Sequence, residues 1–279
     1  MPVPLLVGSS PATQKADPVK FVTCATRLES VLILRMPWDF WLIFLVLGVL
    51  LPWRGRERMK KLLAMPRVSV TERLVLYAST IAFQWLLVAV VGWRAWAHGY
   101  TSPQLGLVYH DRTKLVIAGL VGAAIIANLQ WLNLRRVSHI PIESRGPLQA
   151  VAERILPQTA VELPPYFALA ITAGLCEEFL YRGFAMAALA HVGMSAWLVV
   201  LVSSILFGLA HSYQGKGGMV MTFVVGLVLG ASRLAYHSLV PAIFWHSAVD
   251  MVAGVAGRRY LIRGTAGAQT DPGNAEKQL

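Results

Sequence analysis

The stretch PPYFALAITAGLCEEFLYRGFAMAA, residues Pro164–Ala188, decides the fold class of this chain. A helix of about 20 predominantly apolar residues crosses the hydrocarbon core of a bilayer, and this stretch is long enough to do so. Its charged residues are Glu177, Glu178 and Arg182, all near its middle. Each ionisable side chain placed in hydrocarbon costs about 2.5–3.5 kcal/mol, so three together need a structural or functional reason.

The composition of the whole chain is that of a membrane protein. Of its 279 residues, 56% are hydrophobic and 14% are charged, whereas soluble domains are about 25% charged. Because lipid offers the backbone no hydrogen-bond partner, the apolar runs must be helical. We therefore predict an all-α, polytopic membrane helical bundle of about seven transmembrane helices. The predicted spans are 38–53, 74–97, 114–133, 164–188, 195–213, 218–236 and 239–256.

The excess of cations indicates the orientation of the chain. The formal net charge is +11, but Lys and Arg cluster between the apolar runs, as in RGRERMKK (Arg54–Lys61). The positive-inside rule accounts for these clusters, so we predict no nucleic-acid partner. Segments 54–73 and 134–163 and the tail after residue 256 are then cytoplasmic. We expect an integral protein of the bacterial inner membrane, with its C-terminus in the cytoplasm and the lipid bilayer as a partner.

The two cysteines, Cys24 and Cys176, have no CxxC spacing, so neither a disulfide framework nor a cysteine-based zinc site is expected.

The chain divides into five predicted regions. Whether Met1 or Met36 is the true start stays open. The regions are an N-terminal leader that is spurious or outside (1–37), accessory transmembrane helices (38–145), an amphipathic cytoplasmic helix (146–163), a membrane core (164–256) and a disordered cytoplasmic tail (257–279).

The two adjacent glutamates have different expected partners. Glu178 and Arg182 are four residues apart, so they share one helix face and we expect an ion pair. Glu177 lies about 100° further around the helix and lacks that partner. The two carboxyl groups are close enough to titrate as a coupled pair. Glu177 is therefore the better candidate for a general base that takes a proton from water.

Two histidines join these residues in the predicted spans. His246 and Asp250 are four residues apart, so the carboxylate can fix the tautomer and orientation of the imidazole. In FGLAH, His211 shares a face with Phe207, whose ring can shield the site. A lone histidine at a span end is more often an interfacial residue, and a lone Glu–Arg pair can be structural. The concentration of six such residues in four consecutive spans favours a functional site.

Other polar or small residues in the spans are interpreted as packing features. Gly226 and Gly230 form a GxxxG pattern, which usually marks a close helix–helix contact. Gln84, in the second predicted span, is interpreted as an interhelical hydrogen-bonding residue.

Three motifs in the second half resemble those of a known family. EEFLYR (177–182) fits EExxxR, FGLAH (207–211) fits FxxxH, and HSAVD (246–250) fits HxxxN/D, in this order and on separate predicted helices. Over about 164–252 the chain is similar to the CPBP family of intramembrane endopeptidases, the CAAX-protease and bacteriocin-processing group also called Abi or type II CAAX proteases. The first two spans carry no comparable signature.

The resemblance implies a peptide hydrolase with its catalytic core in the last four spans. Glu177 or Glu178 would activate a water for attack on the scissile amide, and Glu177 is preferred because Glu178 has the in-helix arginine. His211 would orient that water or stabilise the oxyanion. The implied catalytic residues are Glu177, Glu178, Arg182, His211, His246 and Asp250, with Arg182 positioning the glutamate pair and the last two completing the site.

The cofactor implied by the resemblance is either none or zinc. The family is described both as glutamate-type and as metal-dependent, and this chain lacks HExxH. Two histidines with carboxylates are nevertheless a zinc-binding set, whose ligands would be His211, His246 and Glu177 or Glu178. Asp250 stands where many members have asparagine, and its extra negative charge keeps the metal question open.

Three functional classes are compatible with these observations. We favour an intramembrane endopeptidase whose substrate is a membrane-associated protein or peptide. The alternative is a non-proteolytic membrane immunity or interaction protein on the same scaffold. A small proton-coupled transporter would also use buried Glu, Arg and His residues, but no inverted repeat is visible in the sequence.

Overall fold

The computed structural model describes residues 36–263, apart from the side chains of Glu143, Leu148 and Arg263. Most of the predicted leader (1–37) and most of the predicted tail (257–279) therefore lie outside the described residues. Between residues 36 and 263 the regular structure is helical, without a strand. The prediction of an all-α bundle is confirmed.

The helices follow one another along the chain with short connections. They are α1 Trp38–Ala64, α2 Val70–Ala97, α3 Arg112–Val137, α4 Pro147–Ile155, α5 Leu163–Glu178, α6 Met186–His191, α7 Ala196–Ala210, α8 Gly215–Tyr236 and α9 Val240–Gly257. π-helical segments lie within α1 (Val46–Leu50), between α5 and α6 (Phe179–Ala185) and after α9 (Arg258–Arg263). The chain thus stays helical past residue 257, where the tail was predicted to begin.

Five helices among residues 36–263 are long and apolar enough to cross a membrane. They are Trp38–Ala64, Val70–Ala97, Arg112–Val137, Ser212–Tyr236 and Val240–Ile262. Two other predicted spans do not meet these criteria: Ala196–Ala210 is a shorter apolar helix, and α5 has only 16 residues before the π-helical segment. The protein is a multi-pass membrane protein, and the count of seven spans stays a prediction.

Helix α1 is longer than the sequence predicted. Its second half, Leu51–Ala64, contains RGRERMKK, which was assigned to a basic loop. Arg, Lys and Glu are good helix formers, and Pro52 lies in the first turn of this half, where proline is tolerated. The helix therefore continues, and only residues 65–69 connect it to α2. A capping box between Ser69 and Glu72 begins α2.

Helices α2 and α5 pack side by side from the N-terminal end of both. The rings of Tyr77 and Tyr166 meet edge to face, with their centroids 5.6 Å apart. One residue before α5, the buried carboxylate of Glu162 pairs with Arg73 of α2 at 2.5 Å. Glu162 also accepts hydrogen bonds from the backbone N–H groups of Gln158 and Thr159. These contacts fix the position of α2 along the axis of α5.

Helix α9 lies between α3 and α5. The indole Nε1 of Trp245 donates to the carbonyl of Ala118 in α3 at 3.1 Å. On the other side, the hydroxyl of Tyr166 in α5 donates to the carbonyl of Asp250 at 3.1 Å. Helices α2 and α9 flank the C-terminal end of α5, where Gln84 of α2 contacts Glu177 and His246 of α9 contacts Glu178.

The GxxxG pattern of α8 packs closely against α7, as predicted. A methyl group added at Gly226 would lie 3.1 Å from Ser204 Cβ, and one added at Gly230 would lie 2.8 Å from Val200 Cγ1. Such distances leave no room for a side chain without displacement of α7. The two glycines let α7 and α8 approach each other beside the π-helical segment of the α5–α6 region.

Candidate active site

The six predicted polar residues lie on three separate parts of the bundle that meet at one place. The glutamates are the last two residues of α5, and Arg182 lies in the π-helical segment Phe179–Ala185 that follows. All seven residues of this segment are buried. Single π-helical turns within α-helices occur frequently at functional sites. His211 follows α7 directly, and His246 and Asp250 lie in α9.

Glu178 joins two of the other polar residues. Its Oε1 accepts a hydrogen bond from Arg182 Nη1 at 2.8 Å, which confirms the ion pair expected from their spacing. The same oxygen lies 2.8 Å from Nδ1 of His246. The carboxylate is completely buried, so its charge depends on these two donors for compensation.

The guanidinium of Arg182 is enclosed on all sides. Its Nη2 donates to the carbonyl of Gly226 at 3.3 Å, and its Cζ lies 4.1 Å from the ring centroid of Phe207. A cation over an aromatic face is attracted by the electrons of the ring, more strongly when both are desolvated. Phe207 thus stabilises the arginine that pairs with Glu178, a contact that its sequence spacing to His211 did not predict.

Glu177 occupies a different environment from Glu178. Its Oε1 accepts a hydrogen bond from Gln84 Nε2 of α2 at 2.8 Å. Its Oε2 has no hydrogen-bond partner among the described residues. That oxygen lies 3.8 Å from His211 Nε2 and 3.9 Å from His246 Nε2. Glu177 therefore directs one carboxylate oxygen at two imidazole nitrogens.

Hydrogen bonds at Nδ1 orient both imidazole rings. His211 Nδ1 lies 2.9 Å from the carbonyl of Phe207. A carbonyl oxygen accepts only, so this nitrogen carries the proton and Nε2 of the neutral ring is an acceptor. The carboxylate of Glu178 likewise accepts from Nδ1 of His246, so this nitrogen carries a proton in both the neutral and the imidazolium form of the ring. The edges of Phe207 contact both rings, at centroid distances of 4.7 Å for His211 and 5.5 Å for His246.

Asp250 does not make the contact with His246 that the sequence spacing predicted. Its Oδ2 is 3.6 Å from His246 Nε2, which is beyond hydrogen-bonding distance. Helix α9 packs against α5 so that Nδ1 of His246 faces Glu178, the last residue of α5. The carboxylate that orients the ring is therefore that of Glu178. Asp250 instead flanks the Nε2 side and is 35% exposed, more than any other side chain of the site.

The residues of the site resemble a zinc-binding set by chemical type, since two imidazole nitrogens and nearby carboxylate oxygens are suitable donors. Among residues 36–263, however, no three His, Cys, Asp or Glu side chains are arranged to hold a metal ion. No reaction step is therefore derived through zinc, and the choice between no cofactor and zinc stays a prediction.

Gln84 is the site residue that sequence reasoning assigned only to helix packing. The signal was present in the sequence, since Gln84 is a polar residue in the middle of an apolar span. Its contact with Glu177 joins residues 93 positions apart. No spacing rule predicts such a pair, because it depends on how two helices pack.

Comparison with known proteins supports the interpretation of the motifs. Residues 159–252 match the family of type II CAAX prenyl endopeptidase Rce1-like proteins. The resemblance inferred from the three motifs is therefore confirmed for this segment. It contains all six predicted site residues but not Gln84. No curated protein and no solved structure matches the chain.

The family match supports peptidase activity in a membrane. It covers α5 to α9 as far as residue 252, while α1 to α4 lie outside it. An endopeptidase acts on a peptide or protein. Two of the six residues, His246 and Asp250, lie on Val240–Ile262, a helix that is long and apolar enough to cross a membrane.

Proposed function

We propose that this protein is an intramembrane endopeptidase in which Glu177 activates the attacking water. The observation that carries the proposal is the position of Glu177 Oε2, which faces His211 Nε2 at 3.8 Å and His246 Nε2 at 3.9 Å without a hydrogen bond to any described residue. These separations are too long for direct hydrogen bonds and suit a water that contacts all three atoms.

The proposed reaction has two steps. Glu177 Oε2 takes a proton from the water while the oxygen of that water bonds to the scissile carbonyl carbon. This gives a tetrahedral oxyanion. The carbon–nitrogen bond then breaks, and Glu177 returns the proton to the leaving amine. His211 Nε2 accepts a hydrogen bond from the water and orients it. His246, in its imidazolium form, donates from Nε2 to the oxyanion.

Glu178 and Arg182 act in this scheme through other residues. Glu178 holds the His246 ring by Nδ1, and Arg182 holds Glu178 in place. Arg182 is completely buried beneath Phe207, so it positions the site rather than contacting the substrate. Asp250, beside His246 Nε2 and partly exposed, lies where the substrate backbone would approach.

The proposed substrate is a membrane-associated protein or peptide. The name of the matched family refers to CAAX prenyl substrates, and a prenylated C-terminal segment is one member of this class. The Lys and Arg clusters between the apolar runs favour a C-terminus in the cytoplasm. The proposed location is the inner membrane of a bacterium. Reporter fusions at the C-terminus would test this orientation.

The experiment is a comparison of protein termini in membranes of the host. Wild type, a deletion strain, Glu177→Gln and the matched control Glu153→Gln, which lies in α4, are compared. We expect new N-termini in wild type and Glu153→Gln that are absent from the deletion and from Glu177→Gln. A phenotype that Glu177→Gln complements fully, without such termini in any strain, would instead support the immunity or interaction protein.

Metal dependence is tested on the same termini. Isolated membranes are treated with a zinc chelator, and zinc is then restored. Continued cleavage supports the mechanism in which the side chains act alone. Cleavage that stops and returns with zinc would contradict that mechanism while leaving the peptidase activity in place.

A further inference from the structure

Helix α2 reaches the candidate site through one side chain, although it lies outside the matched segment 159–252. Tyr77 and Val91 are buried on the same helix. Gln84 is seven residues from each of them, so all three lie on one face. Tyr77 contacts Tyr166 of α5, which shows that this face is turned towards α5. A polar amide therefore lies between Tyr77 and Val91 on the face of α2 that is turned towards α5.

The contact with Gln84 gives the two carboxylate oxygens of Glu177 different surroundings. Oε1 receives the amide hydrogen bond at 2.8 Å, while Oε2 faces the two histidines. Because a carboxylate is planar, fixing Oε1 restricts the directions in which Oε2 can point. The opposite amide orientation would place Gln84 Oε1 against a carboxylate oxygen, so the hydrogen-bond network requires the donor orientation.

We infer that Gln84 is a positioning residue for Glu177, supplied to the catalytic core by an accessory helix. This inference rests on the proposed function, in which Glu177 is the base. An amide suits the task because it donates to the carboxylate and does not itself titrate, so it does not compete for the proton of the water. A displacement of about 1 Å in a reacting group can lower a rate about a hundredfold.

Other contacts keep α2 in place without Gln84. Arg73 pairs with Glu162, and Tyr77 packs against Tyr166. Loss of the Gln84 amide should therefore leave the bundle folded while it frees the Glu177 side chain to rotate. A residue that only joins two helices would behave differently, since its loss would lower stability without changing the state of the Glu177 carboxylate.

The experiment uses Gln84→Met, which keeps the length of the side chain and removes the donor. Gln130→Met, on α3, is the matched control, and Glu177→Gln is the reference for lost activity. Two quantities are measured on full-length protein: the rate at which wild-type termini appear in host membranes, and the infrared carboxylate band that disappears in Glu177→Gln. The second measurement needs no substrate.

We expect Gln84→Met to form the termini at least about tenfold more slowly than wild type. It should also shift the Glu177 carboxylate band. Gln130→Met should change neither quantity. This inference alone would be overturned if Glu177→Gln loses the termini but Gln84→Met forms them at the normal rate. An unshifted Glu177 carboxylate band in Gln84→Met would overturn it as well. Termini that persist in Glu177→Gln would overturn the proposed function and this inference with it.

Discussion

Arg182 and His246 share one carboxylate oxygen, since each lies 2.8 Å from Glu178 Oε1. The arginine belongs to the π-helical segment after α5 and the histidine to α9. Glu178 therefore links the two helical segments within the buried centre of the bundle. In the proposed mechanism it holds the histidine, while Glu177 is the glutamate whose Oε2 faces both Nε2 atoms.

Removal of the Arg182 charge should destabilise the fold. In Arg182→Met the carboxylate of Glu178 stays buried without its strongest partner, and breaking a buried pair costs about 3–5 kcal/mol. The free energy of unfolding in detergent measures this loss. Arg136→Met is the matched control, because Arg136 is exposed at the end of α3. Equal stability of the two variants would contradict the role assigned to the ion pair.

Replacement of His246 should affect catalysis more than replacement of Asp250. His246→Gln removes the Nε2 group that faces Glu177, and loss of a positioned proton donor lowers rates about 10²–10⁴-fold. In Asp250→Asn the three hydrogen bonds that Glu177 and Glu178 make at 2.8 Å remain, since Asp250 takes part in none of them. We expect Asp250→Asn to retain at least about tenfold more activity than His246→Gln. A cleavage assay in which the two variants lose equal activity would show that Asp250 orients the imidazole after all.

A side chain at Gly226 should disturb both packing and the site. A methyl group there would lie 3.2 Å from Arg182 Nη2 and 3.1 Å from Ser204 Cβ. Overpacking of this kind costs about 1–3 kcal/mol, so Gly226→Val should unfold at lower temperature and cleave more slowly. Gly217→Val, on the same helix with open space around it, serves as the control. Thermal unfolding curves of both variants would settle the comparison.

Acidification should weaken the contact between α2 and the start of α5. Burial by itself would raise the pKa of Glu162, but hydrogen bonds from Thr159, Arg73 and Gln158 outweigh it and hold this pKa below its ordinary value. The ionised form is therefore favoured by folding, and its contribution to stability is present above the unfolded pKa of about 4.3 and lost as the pH falls through the folded pKa.

The measurement for Glu162 is the melting temperature of wild type and Glu162→Gln from pH 7 down to about pH 3. Wild type should be more stable at pH 7, and the difference should persist to about pH 4.3 and shrink below it. Glu153→Gln, on α4, is the control and should follow wild type. A difference that is constant with pH would mean that the charge of Glu162 does not contribute.

The motif spacing predicted the pair of Glu178 and Arg182 because both residues lie on one helix, where a separation of four residues fixes the geometry. The same rule predicted a pair of His246 and Asp250 that does not form a hydrogen bond. Here an interhelical contact decided the outcome: Glu178 approaches the ring more closely than Asp250 does. Spacing within a helix brings side chains to the same face but cannot show which neighbour on another helix is nearer.

Sequence by itself determined that this is a membrane protein of the helical class, and it predicted six site residues, because apolar length and the cost of burying charge are properties of the chain. Only the tertiary structure decided which side chains of other helices these residues contact. It brought His246 to Glu178, placed Phe207 against Arg182, and brought Gln84 to Glu177 across 93 positions. These contacts depend on the packing of α2, α7 and α9 around α5, and helix packing is set by the fit of whole surfaces rather than by local spacing.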